Sequence, residues 1–176
     1  MPFQLHRRKV LQWFLVLLAA VMLSACGFHM RGPAKLPFKS IYLGFPDNSS
    51  LGTELKRYIR ASGVEVVDKA TEAEAVMQVL ANTTEKKILT LNSNGQVREY
   101  SLYQRFSFLV KDQTGKVTIA PIQMTLKRDV TYDPNQELAK QAEEALLYRD
   151  MQSDLVQQIL RRMSATKTGV DETIEE

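Results

Sequence analysis

Residues 97–110 read VREYSLYQRFSFLV; the even positions are Tyr100, Leu102, Gln104, Phe106, Phe108 and Val110, and the odd ones are mostly polar. Alternation of this kind puts one side-chain set on each face of a β-strand, so one face of this strand is buried. Residues 117–132 repeat the pattern, with Ala120, Ile122, Met124, Leu126 and Val130 as the apolar set. Between the two runs, Asp112-Gln113-Thr114-Gly115-Lys116 has the composition of a turn. Pairing Lys111 with Val117 sets Phe108 against Ala120, Phe106 against Ile122 and Leu102 against Leu126. One face then stays apolar, as a half-buried antiparallel hairpin requires. Upstream, Asn94-Gly95 marks a second hairpin turn. Folding there brings Leu89 opposite Tyr100, Ala81 opposite Phe108 and Val79 opposite Val110. Thr83 to Lys87 interrupts the alternation and predicts a bulge or twist. The centre of the chain is therefore a long three-stranded meander.

Shorter elements flank it. Ser40 to Phe45 is rich in strand formers, and Pro46 to Ser50 offers several N-cap side chains. Leu51, Leu55, Tyr58 and Ile59 recur at helical spacing, with Gly63 at the place of a helix C-cap. Val64 to Asp68 is a second short strand, which makes a βαβ-like opening. After the meander, Asp133 as N-cap, Pro134 at N1 and Gln136 at N3 open a long helix. Its stripe is Leu138, Ala142, Ala145, Tyr148, Met151, Leu155, Ile159 and Met163. Glu143 and Glu144 lie early and Arg161 and Arg162 close it, in agreement with the helix dipole. Ser164 to Glu176 has no periodicity and reads as a disordered tail. The fold class is α+β, a mixed sheet with two helices on one face.

The chain has 176 residues, 44% hydrophobic and 24% charged, which excludes a wholly disordered, collagen-like or disulfide-stapled protein. Its net charge of +3 comes from Arg7, Arg8 and Lys9 alone. That balance gives no sign of a nucleic-acid partner. The three basic residues precede an apolar run, Val10 to Leu23, which is shorter than the ~20 residues of a membrane span and fits a secretory signal. Leu23-Ser24-Ala25-Cys26 follows, small residues ahead of a cysteine, as in a bacterial lipobox. Cys26 is the only cysteine, so it has no disulfide partner, and acylation gives it a role. Two or three acyl chains, at ~0.8 kcal/mol per buried CH₂, hold a protein on a bilayer. Gly27 in place of Asp after the cysteine predicts the outer membrane, on the periplasmic side. The expected layout is a signal peptide over 1–25, a lipidated tether over 26–38, one domain over 39–163 and the tail over 164–176.

Catalytic chemistry has few residues to draw on. The histidines are His6, within the signal, and His29, three residues from the anchor. Serine–histidine, cysteine–histidine and histidine-metal arrangements cannot be assembled from the rest. No glycine-rich phosphate loop is present, and no cofactor beyond the covalent lipid is expected. The remaining polar signal is basic: Arg105, Lys111 and Lys127 on the polar face of the meander, Arg98 near the Asn94-Gly95 turn, Arg128 beside the apolar face, and Lys140 early in the long helix. Each is ordinary surface charge or a partner for anionic groups such as lipid phosphates. Tyr103 and Leu109 break the polar face and together suggest a protein-binding surface.

These residues resemble the lipopolysaccharide-assembly lipoprotein LptE family. The likeness runs from Cys26-Gly27-Phe28-His29-Met30-Arg31-Gly32 through Gly63-Val64-Glu65-Val66-Val67-Asp68 and Asn94-Gly95-Gln96. It continues through Glu99-Tyr100, Arg128, Tyr132-Asp133-Pro134 and Leu138-Ala139-Lys140 to the amphipathic helix. It implies a mixed, largely antiparallel four-stranded sheet with two helices on one face. It also implies an outer-membrane lipoprotein that plugs the β-barrel LptD, one to one, and binds lipopolysaccharide on its way to the cell surface. Lys140 stands at a basic position that the family uses for the anionic lipid. A second such position, just before the Asn-Gly turn, is Ser93 here, and Arg98 across the turn is the expected substitute, with Arg105, Lys127 and Arg128 as further candidates. The alternative is a periplasm-facing lipoprotein that carries a lipid or scaffolds the envelope without a barrel.

Overall fold

The computed structural model describes residues 35–165 together with Trp13. The expected signal segment apart from Trp13, together with Cys26 and residues 166–176, lies outside the described residues; Ser164 and Ala165, read as the start of a disordered tail, are the last turn of the final helix. Five strands form one sheet in the order β2-β1-β3-β4-β5: β1 Ser40–Leu43, β2 Glu65–Val67, β3 Ala75–Leu91, β4 Val97–Asp112 and β5 Val117–Thr131. Two helices, α1 Ser50–Ala61 and α2 Glu137–Ala165, complete the domain. The expected α+β architecture is present with five strands rather than the four implied by the resemblance: both short strands read from the sequence join the meander in one sheet, with the three-residue β2 at its edge, parallel to β1.

Local chemistry accounts for each element. The Ser49 side chain accepts from Gly52 N at 3.0 Å and starts α1. The helix ends in a Schellman motif: Gly63 N donates to Arg60 O, Val64 N donates to Ile59 O, and Gly63 takes φ +81°. Leu51, Leu55 and Ile59 turn inward. Gly44 is required by a close approach, because a Cβ there would stand 2.9 Å from the carbonyl oxygen of Met77. Asp133 caps a 3-10 turn over Pro134–Gln136 that leads into α2.

Both hairpin turns have one design. Asn92 Oδ1 accepts from the amides of Asn94 (3.0 Å) and Gln96 (2.9 Å), and Asp112 Oδ1 accepts from those of Thr114 (2.8 Å) and Lys116 (3.0 Å). Gly95 and Gly115 follow with φ +77° and +85°, as a three-residue hairpin loop demands. The Asn94-Gly95 turn is thus one residue longer than a two-residue reading allows, and the register moves with it. Leu91 faces Val97, Ile88 faces Tyr100, Lys86 faces Leu102, Ala81 faces Ser107 and Val79 faces Phe108. The irregularities fall at Leu80 and near Leu89 and Arg98, whereas Thr83 to Lys87 is regularly paired.

In the second hairpin Lys111 does face Val117, but two further irregularities follow. Phe108 then meets Ile122, Phe106 meets Met124, and Leu126 meets Gln104 instead of Leu102. A two-residue slip preserves the face, so Met124, Leu126 and Val130 still point inward. At the bulge Ile119 takes the buried place expected for Ala120. Pro121 lies on this edge strand, where its missing N–H is tolerated.

The core gathers Ile41, Met77, Leu102, Phe106, Phe108 and Val110 from the sheet with Leu55 and Ile59 of α1. From α2 it takes Met151, Leu155, Val156, Ile159, Leu160 and Met163, all in the second half of that helix. Leu138, read as part of the apolar stripe, is 83% exposed. Leu109, read as an exposed break in the polar face, is 9% exposed.

Two outcomes check this description. Ile159→Ala should lower stability by about 2–5 kcal/mol, as for a fully buried aliphatic side chain, whereas Leu138→Ala should change it by less than about 0.5 kcal/mol; urea unfolding followed by circular dichroism measures both. Asp112 titrates below the ordinary aspartate value, because Thr114 Oγ1 and the two turn amides bind its ionised form. Stability from this turn is therefore present above the ordinary value and lost as pH falls through the lowered one. The Thr114 and Lys116 amide resonances should titrate in acid with that low midpoint. Those of Asn94 and Gln96, held by a neutral amide, should not.

Candidate functional site

Where α2 overshoots the core, its inward face becomes polar. Glu137, Lys140, Gln141 and Glu144 line a cleft of about 210 Å³ with Lys86 of β3, Tyr100 of β4, Val130 and Thr131 of β5, and Tyr132. Lys140 Nζ donates to Thr131 Oγ1 and to Glu143 Oε2, both at 2.9 Å. Lys86 Nζ donates to Glu144 Oε2 at 2.6 Å and stands 4.2 Å from the centre of the Tyr100 ring. Tyr132 packs edge-on against Tyr100 at 5.4 Å. Burial disfavours the charged form of Lys86, but the hydrogen bond and charge of Glu144 outweigh it, so its pKa is raised. Burial and the Glu144 charge push the Tyr148 phenol up; its hydroxyl donates to Glu85 O at 3.3 Å.

Of the binding candidates read from the sequence, Lys140 alone lines this cleft. Arg105 and Lys127 occupy the opposite face of the sheet. Glu85, Tyr103 and Lys127 lie side by side across three strands, as do Lys87, Ser101 and Asp129. Arg105 donates to Glu85 at 2.6 Å, Lys87 pairs with Glu85 at 3.0 Å, and both cations flank the Tyr103 ring. The Arg105 and Lys87 bonds hold the Glu85 carboxyl below the usual range. Ser101 Oγ and Lys127 do the same for Asp129. Arg128 bridges β5 to α2 through Asp154 at 2.6 Å. Arg98 sits at a bulge with its carbonyl accepting from Tyr132 N at 2.8 Å; its side chain is exposed and does not line the cleft. Asn94, Gly95 and Ser93 form the exposed turn at the same end of the sheet.

Lys86 was missed from the sequence for a definite reason. The two-residue turn puts it opposite Tyr103 on the polar face, whereas the observed register puts it opposite Leu102, under α2. The signal was available in the match between Asn92-Ser93-Asn94-Gly95-Gln96 and Asp112-Gln113-Thr114-Gly115-Lys116. A second, wider cleft lies between the helices, lined by Asp47, Ser50, Glu54, Arg57, Arg149 and Gln152 among others. Its polar groups serve to join the helices: Glu54 accepts from Gln152 Nε2 at 2.7 Å and Ser153 Oγ at 2.9 Å.

The class so defined is a small two-layer α+β domain, without a cluster of three or more His, Cys, Asp or Glu side chains able to hold a metal among the described residues. The sequence model of the LptE family, described as lipopolysaccharide-assembly, matches residues 38–163, and the chain belongs to that family. It is 28% identical over 154 residues to the LPS-assembly lipoprotein LptE of Pectobacterium atrosepticum, covering 85% of this chain and 83% of that one. The fold is similar to the solution NMR structure of lipoprotein B from Nitrosomonas europaea, with TM-score 0.69, 40% identity, and 79% and 91% of the two chains covered. It is also similar to the crystal structure of the rare lipoprotein B from Shewanella oneidensis, with TM-score 0.63, 27% identity, and 72% and 95% covered.

Proposed function

We propose that this member of the LptE family is an outer-membrane lipoprotein anchored through Cys26. It plugs an LptD β-barrel one to one, and it binds lipopolysaccharide during delivery to the cell surface. It acts without catalysis. The observation that carries the lipid-binding part is Lys140: its ammonium, 20% exposed at the side chain, is fixed by Thr131 in a cleft at one end of the sheet. A lysine so held presents a fixed positive charge to a lipid phosphate. The clefts described above are lined mainly by polar and charged side chains, which suits a headgroup better than acyl chains. The opposite face, with its charges paired across β3, β4 and β5, suits a polar barrel lumen.

Full-length protein tagged at the C-terminus and extracted from outer membranes in mild detergent should bring down a large β-barrel in equimolar amount. Recovery alone with bound lipid would favour the carrier reading instead. Lys140→Ala should weaken binding of purified lipopolysaccharide by about tenfold, the worth of one charged hydrogen bond. Arg98→Ala should leave it unchanged, because Arg98 does not line the cleft.

A further inference from the structure

We propose that Lys86 is a second cation for the lipid phosphate, and that Glu144 and Glu143 hold the Lys86 and Lys140 ammonium groups until a phosphate displaces them. The inference rests on the reading of the Lys140 cleft as the lipopolysaccharide site.

Three observations carry it. Lys86 and Lys140 come from different elements, β3 and α2, yet line the same cleft. Each is met by a carboxylate of α2, Lys86 by Glu144 at 2.6 Å and Lys140 by Glu143 at 2.9 Å. Each also has a neutral second anchor, the Tyr100 ring for Lys86 and the Thr131 hydroxyl for Lys140. The neutral anchors matter most. When a carboxylate swings away, its lysine stays in place, so the cations are arranged before the ligand arrives.

Exchange is energetically easy. Partly exposed ion pairs of this kind contribute little, ~0–1 kcal/mol, and the four side chains are 20–47% exposed. A phosphate monoester carries nearly two charges and three acceptor oxygens. One such group can therefore answer both ammonium ions, where each carboxylate answers one. The arrangement also supplies selectivity, since a weak or singly charged anion gains nothing over the resident carboxylates.

The test uses purified full-length protein in detergent with lipopolysaccharide, the same lipid after enzymatic removal of its phosphates, and inorganic phosphate. Lys86→Gln and Lys140→Gln should each weaken lipopolysaccharide binding by about tenfold, and Glu144→Gln should strengthen it several-fold. Glu65→Gln, an exposed change of the same net charge on β2, should do nothing. Lys86→Gln and Glu144→Gln break the same ion pair, so a purely structural role would move both in one direction; opposite shifts are the signature. None of the variants should alter binding of the dephosphorylated lipid.

Parent-like binding by Lys86→Gln, or a Glu144→Gln gain no larger than that of Glu65→Gln, would overturn the inference. Inorganic phosphate that saturates the cleft without competition from lipopolysaccharide would assign the site to free phosphate and overturn it too. If the parent binds lipopolysaccharide and Lys140→Gln binds it equally well, the cleft reading itself fails, and the inference with it.

Discussion

Everything in this domain hangs on the register of β4. It is the strand with a long partner on both sides, and its inward row of Leu102, Phe106, Phe108 and Val110 is fully buried. A side-chain period of two makes register unforgiving: a slip of one residue turns a whole strand over. The two three-residue turns set that register from either end, each by one Asx side chain and one glycine with positive φ. Position 104 is the weak point of the row. Gln104 is 5% exposed, and its carbonyl oxygen has no hydrogen-bond partner among the described residues. The apolar row is interrupted just short of the place where the core gives way to the cleft.

That transition explains the shape of α2. At 1.5 Å per residue its 29 residues span ~44 Å, about twice what the core needs. The half from Met151 onward buries its face against β4, β5 and α1. The half before Tyr148 presents charged side chains to the sheet, and Lys86, Tyr100 and Thr131 answer from below. Hydrophobic burial therefore holds the helix at one end, while the other is left to weak, partly exposed ion pairs. A helix anchored in this way does not depend on those ion pairs for its position.

The sequence carried the architecture well and the site only in part. Alternation at Tyr100 to Val110 and Ala120 to Val130 specified the meander, and the turn at Pro46 to Ser50 and Gly63 marked the ends of α1 that the structure keeps, while Asp133 caps a 3-10 turn ahead of α2 rather than α2 itself. In β5 two successive irregularities added to an even slip, so the expected face survived although every pair after Lys111 changed. In β3 the extra turn residue made an odd slip, and Lys86 changed face. Helical periodicity misled in α2, because Leu138, Ala142 and Ala145 continue the apolar spacing past the end of the core. A stripe records which residues could face a core. It does not record how far the core extends.

The same limit applies to the cations. Arg105, Lys127 and Arg128 are as basic in the sequence as Lys140, but three-dimensional pairing gives each a nearby carboxylate: Glu85, Asp129 and Asp154. Pairing by itself does not separate bound charge from available charge, since Lys140 and Lys86 are paired as well. The difference lies in what else holds the lysine. Arg105 also lies over an aromatic ring, Tyr103, but its carboxylate Glu85 is held by Lys87 as well, and Lys127 shares its carboxylate with Ser101; in both pairs the anion has a second partner of its own. At Lys140 and Lys86 a hydroxyl and an aromatic ring hold the cation, and the carboxylate is the member free to leave. Which partner is independently anchored decides whether an ion pair braces a surface or keeps a place for a ligand.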